Sequence, residues 1–247
     1  MRTGTIIGFI FLILIIIALA LGVFVLYTEV VDLRSQVENN PDTPAPEEIE
    51  DDNIVNLDLR LQRGNLRIEM GDKFSIRDSR NRPFNADVRN QTFYLDVQRW
   101  RHHSNIILTL PHSTDFENVK INIGGGILDL SALSADRMEL SVGGGSITAT
   151  DITARILRLE CGAGKIDFDG NVTESLDIDH SVGQTIVTLD GQESDFNYDI
   201  DYAVGSVHIG DREYSGISGS DNIDNKADKN ITIDSAVGSL EIHFKDE

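Results

Sequence analysis

Gly126, Gly145, Gly164 and Gly183 fall at a constant interval of 19 residues, and Gly205 and Gly238 continue the series at intervals of 22 and 33. A fixed period near twenty residues means that one short unit is stacked on itself. With each glycine as zero, position +2 is Leu128, Ile147, Ile166, Thr185, Val207 and Leu240. Position +4 is Leu130, Ala149, Phe168, Val187, Ile209 and Ile242, and polar residues such as Asp129, Thr148 and Asp167 lie between. Alternation with a period of two marks a strand with one buried face. A second alternating run precedes each glycine: Met138, Leu140 and Val142 return as Leu157, Leu159 and Cys161, then as Leu176, Ile178 and His180. Each unit therefore holds two short strands. The glycine marks the corner between them, where positive φ or close backbone approach disfavours any side chain.

Two all-β folds compete for such a pattern. An antiparallel sandwich also has short strands and frequent turns, but gives no reason for like residues to recur at one period. A parallel β-solenoid does, because each coil of about 19 residues lies ~4.8 Å above the last and aligns equivalent positions. The expectation is a right-handed parallel β-solenoid, since parallel crossovers almost always take that hand. Residues 111–247 carry the regular repeats. Residues 54–110 alternate too, with Gly64, Leu66 and Ile68 repeating the glycine, +2, +4 spacing, and read as the first coils or a cap of the same domain. Residues 210–230, rich in Ser, Gly, Asp and Asn, read as an exposed loop inserted between coils.

Residues 6–27 contain no charged side chain. As a helix this stretch of 22 residues spans about 33 Å, enough to cross a bilayer core. It is too long for a signal-peptide core, so it reads as a retained single-pass anchor. Arg2 on one side, against Glu29 and Asp32 on the other, places residues 1–5 in the cytoplasm and the rest of the chain outside the plasma membrane. Residues 28–53 read as a short helical extension and an acidic, Pro-rich stalk that lifts the head, 54–247, off the membrane.

The net charge of −20 is uneven: −7 over residues 1–53, +4 over 54–110 and −17 over 111–247. So acidic a repeat region argues against nucleic acid as a partner. The arginines of 54–110 (Arg60, Arg63, Arg67, Arg77, Arg80, Arg82, Arg89, Arg99, Arg101) suit contact with an anionic cell-wall polymer, contact with the acidic end of another envelope protein, or plain solvated strand faces. Self-association through an uncapped coil end is the other partner consistent with the pattern. One cysteine excludes an internal disulfide, and Cys161 stands in an aliphatic column as a small apolar residue.

No catalytic, cofactor-binding or metal-ligating set is expected. The pairs Asp167/Asp169, Asp177/Asp179 and Asp199/Asp201 invite a calcium reading, but Gly162, Gly164 and Asp167 miss the glycine-aspartate calcium spacing by one residue. In a strand that turns the carboxylate to the wrong face, so solvated outward aspartates are the better reading. Glu139, Glu160, Asp177 and Asp179 would be the carboxylates of a polysaccharide-cleaving β-helix, yet Arg158 interleaves with them. His102 and His103, beside Trp100, point to opposite faces if in a strand and share a metal poorly. His180 occupies a core slot and reads as a core histidine. Asn90, Asn171 and Asn230 begin N-x-S/T triplets that matter only in a eukaryotic secretory pathway.

Glycine-punctuated coils, a preceding LTLP segment (Leu108 to Pro111) and an N-terminal anchor together resemble the bacterial envelope domain family named putative adhesin, found in proteins similar to those of Lia-type cell-envelope stress operons. The resemblance covers residues 54–247. It implies a β-solenoid of unknown biochemical activity at the cell surface and carries over no catalytic residue. The functional expectation is a membrane-anchored, non-catalytic module for adhesion, scaffolding or stress sensing. The alternative is a carbohydrate-active lyase or glycosidase on a β-helix.

Overall fold

Burial follows the alternation residue by residue. Leu57, Leu59 and Leu61 are buried while Asn56, Asp58 and Arg60 are not, and Leu140, Val142, Ile147, Leu157 and Leu159 repeat the pattern further along. The computed structural model describes residues 47–49, 53–79, 84–97, 104–112 and 114–245. The expected membrane span, most of the stalk, and Trp100, His102 and His103 lie outside these residues. Among the described residues no helix is long and apolar enough to cross a membrane.

The domain is all-β. Its strands are β1 (Glu47–Glu48), β2 (Asn56–Leu61), β3 (Gly64–Gly71), β4 (Ser75–Asp78), β5 (Asn85–Arg89), β6 (Thr92–Val97), β7 (Ser104–Pro111), β8 (Phe116–Ile123) and β9 (Gly126–Ser131). They continue as β10 (Ser134–Asp190), β11 (Phe196–Ile209), β12 (Arg212–Ile223) and β13 (Lys229–Lys245). A single 3-10 turn, Glu193–Asp195, precedes β11. All strands join one 13-stranded curled sheet whose inward aliphatic side chains form a single core. β10 runs for 57 residues, three repeats of 19, without a break at its corners.

Equivalent positions lie side by side in parallel. Gly145 pairs with Gly126 and Ile147 with Leu128, while Gly64 pairs with Gly126 and Leu66 with Leu128. The glycines form one column in which a Cβ on each member would collide with the carbonyl of its neighbour. Its order is Gly64, Gly126, Gly145, Gly164, Gly183, Gly238, Gly205.

That order departs from the chain order at the C-terminal end. β13 pairs in parallel with β10 on one side and with β11 on the other, so the last rung is inserted between two earlier ones. β12 then lies outermost, antiparallel to β11. Residues 210–230, read from composition as a loop, are thus mainly an edge strand. The N-terminal end follows the same plan. The first rung, β2 and β3, lies between β6/β7 and β8/β9, while β5 and β4 run antiparallel outside β6 and β7. Leaving aside the two-residue β1, which pairs outside β4, the chain read inward from either end of the domain lays down an inner rung, then outer reversed strands, then the rung between them.

Polar ties hold the C-terminal crossover. Asn197 accepts from the backbone amides of Asn225 and Ala227 and donates to the Ala227 carbonyl, while Asn225 donates to Phe196 O at 2.7 Å. Tyr198 donates its hydroxyl proton to Glu193 O at 2.7 Å, which fastens the 3-10 turn. These bonds satisfy a segment that must pass from the outermost position back to an inner one.

Candidate functional site

Because rungs stack in register, outward side chains form columns as regular as those of the core. Six residues before the corner glycine the column reads Lys120, Glu139, Arg158, Asp177. Lys120 contacts Glu139 at 2.6 Å, and Arg158 bridges Asp177 at 3.2 Å and Glu160 at 2.6 Å. A second cation, Arg155, bridges Asp136 and Glu174, each 19 residues away. Both arginines are held above their already high pKa, Arg155 by its bonds to Asp136 and Glu174 and Arg158 by its bond to Glu160. Asp167 pairs with Lys165, and Asp169 with Lys245 at 2.7 Å. Lysines therefore already contact one of the aspartate pairs that suggested calcium.

Four residues before the glycine the pattern changes. Asp179 pairs with Asp234 across β10 and β13, and Asp234 with Asp201 across β13 and β11. Three carboxylates are stacked on adjacent strands, ~4.8 Å apart along the sheet. Among the described residues none of the three has an ion pair. Burial, followed by the charges of Asp234 and Glu160, raises the Asp179 pKa against the lowering influence of Arg158. Beside this column is a shallow depression of about 410 Å³ whose lining includes Asp201, Tyr202, Ser218, Ser220, Asp234 and Ser235. Asp201, Ser218, Ser220 and Asp234 are exposed there, and their hydroxyls and carboxylates are a chemistry suited to cations or polyhydroxylated ligands.

Of the carboxylates considered for catalysis, Glu139, Glu160 and Asp177 are occupied by Lys120 or Arg158, and only Asp179 belongs to the unpaired column. The structure does not bring them together as a facing acid and base. Asp234 and Asp201 were missed as companions of Asp179, although all three stand four residues before a column glycine. Behind this face His180 is 1% exposed, with its Nδ1 2.7 Å from Thr185 Oγ1. Burial lowers its pKa more than the nearby Val182 and Gly164 backbone raises it. Cys161 is 1% exposed, and burial pushes its thiol up to about 11, which leaves it without thiolate reactivity near neutral pH.

The fold and surface define an all-β domain of stacked rungs with an acidic face, charge-compensated along the Lys120 to Asp177 column and, among the described residues, uncompensated along Asp179, Asp234 and Asp201. The chain belongs to the Toastrack DUF4097 family, whose pattern matches residues 47–247. It is similar to the crystal structure of "a putative cell adhesion protein" from Clostridium sporogenes, at 16% identity over 81% of this chain and 98% of that one, with a TM-score of 0.39. It is also similar to a "putative adhesin" from Bacteroides fragilis, at 14% identity over 81% and 96%, with a TM-score of 0.34. No curated protein matches the chain.

Proposed function

We propose that the protein is a membrane-anchored, non-catalytic extracytoplasmic module, a right-handed parallel β-solenoid that serves adhesion, scaffolding or stress sensing at the cell envelope. The observation that carries this reading is the charge compensation across rungs. Lys120 and Arg158 neutralise Glu139, Glu160 and Asp177, three of the four carboxylates that a hydrolase or lyase would need free, and do so on a ribbed face rather than in a cleft. The uncharged stretch at 6–27, long enough as a helix to cross a bilayer, supports the envelope setting.

Incubating the purified full-length chain with wall glycans and anionic wall polymers tests the proposal. Saturable binding with no new reducing ends or unsaturated sugars is the expected result. Product formation lost on Asp179→Asn would establish the carbohydrate-active alternative. For orientation, Ser181→Cys supplies an exposed thiol beside the buried Cys161. An impermeant maleimide added to intact cells should label it. Labelling only after lysis would put the head inside.

A further inference from the structure

We infer that the outer edge of β12 is a homodimer interface at which two copies of this chain meet through a two-fold axis. The inference does not depend on the envelope reading. β12 pairs with β11 along its length on both sides of the corner, and its other edge has no partner among the described residues. An unpaired strand of 12 residues is a template for further strand addition. Its sequence, REYSGISGSDNI, holds no proline and no lysine, and its charges, Arg212, Glu213 and Asp221, are of both signs, so a second copy can match them.

The shape of the edge selects the occupant. β12 bends with the rung at Gly216, whose φ is 139°. A straight strand would therefore pair with one wall of the rung and leave the other open. Among the described residues the remaining edges of the sheet are β5, with five residues, and β1, with two, too short to cover it in a head-to-tail stack. Among these described edges, only a second β12 has both the length and the bend.

Side chains agree with that occupant. Val182, Val237, Val204 and Ile217 are cross-strand neighbours at the corner, and exposure along this column reaches 75% at Ile217, against 46% at Val182 and 47% at Val204. The column ends at the open edge, where a second copy would cover Ile217. An antiparallel two-fold register that sets Gly216 opposite Ile217 of the second copy also sets Arg212 opposite Asp221, twice by symmetry. Opposite charges in cross-strand pairs favour that register, with Arg212 lying between Glu193 of its own chain, at 2.9 Å, and Asp221 of the second copy. Such an isologous contact closes as a dimer instead of growing.

Sedimentation of the full-length chain in detergent micelles, over a range of concentrations, tests this. A monomer–dimer equilibrium is expected, with Ile217→Lys weakening it at least about tenfold while the circular dichroism spectrum is unchanged. Asp221→Arg alone and Arg212→Asp alone should each weaken the homodimer, because each sets like charges opposite one another. Mixing the two variants should restore a heterodimer, one of whose charge pairs is reversed. A wild-type chain that stays monomeric throughout overturns the inference. So does a dimer indifferent to Ile217→Lys, an open-ended series of larger species, or a mixture with no preference for the heterodimer.

Discussion

The carbonyl oxygen of Gly126 occupies the space that a Cβ on Gly145 would need. The contact repeats from rung to rung, so the glycine column sets how closely successive corners approach. Gly216, at the open edge, has the same backbone conformation, with φ 139°, but nothing within 4 Å of its Cβ position. Comparing the two sites separates backbone strain from collision. Gly216→Ala should cost about 1–3 kcal/mol, the strain of a glycine-only conformation. Gly145→Ala adds a collision with main chain that cannot move without displacing its own neighbours, and should cost more than about 4 kcal/mol. Urea melts of the two variants check this, and equal losses would mean that the column tolerates a side chain.

The inserted terminal rung makes a second prediction. A C-terminal strand on an open edge would fray, but β13 is hydrogen-bonded on both sides, to β10 and β11. Amides of 229–245 should therefore exchange as slowly as those of 134–190, while 212–223 exchange fastest. Using the Ile217→Lys chain keeps the β12 edge uncovered during the measurement. Ile233, buried between Ile178 and Ile200, gives the matching substitution. Ile233→Ala should cost about 2–5 kcal/mol, a core loss and not an end effect. Fast exchange across β13 would show that the clamp does not act as one.

Much of this was legible in the repeat, and the exceptions have a common cause. The glycine and its +2 and +4 aliphatics identify a rung at Gly64, Gly205 and Gly238 as clearly as at Gly145. Rungs built to one template are interchangeable neighbours, so sequence order does not dictate stacking order, and neither swapped end announced itself. β7 was harder to recognise as a rung because Ser104 stands in the corner position. It ends the column beyond Gly64, where no further parallel rung requires a glycine. β12 was read as a loop because an exposed edge strand needs few buried aliphatics. The acidic stack of Asp179, Asp234 and Asp201 follows from the template itself, since all three stand four residues before a column glycine; the swap decides only that Asp234 lies in the middle.

That stack carries a third prediction. Asp179 is burdened first by burial and then by its acidic neighbours, so its pKa lies above the ordinary carboxylate value. For a raised carboxyl the sign is unfavourable at neutral pH. The penalty is absent below the unfolded-state pKa of 3.8 and accumulates as pH rises through the folded value. Asp179→Asn should stabilise the domain at pH 7 by a few tenths of a kcal/mol, the scale of like charges opposed across strands. Added salt should shrink the gain by screening Asp234 and Glu160. A loss of stability on this substitution would mean that the carboxylate has a favourable partner.

His180 and Thr185 give the opposite pH signature. The pair lies five residues apart on the two sides of one corner, and its 2.7 Å hydrogen bond joins two buried polar side chains of the inward columns, with the buried Ser235 cross-strand from His180. Burial lowers the His180 pKa below the ordinary 6.5, so the folded protein keeps the ring neutral while the unfolded chain titrates normally. Stability should be insensitive to this group above pH 6.5. It should fall as pH drops towards the folded pKa, by at most about 1.4 kcal/mol per pH unit for one proton. Replacing His180 alone strands the Thr185 hydroxyl in the core, at a cost of about 1–3 kcal/mol. His180→Leu combined with Thr185→Val removes both polar partners, so it should cost less than the sum of the single changes and abolish this acid-sensitive component. Thermal melts between pH 5 and 8 on the four chains separate the outcomes, and an acid slope retained in the double variant would assign the titration to a different group.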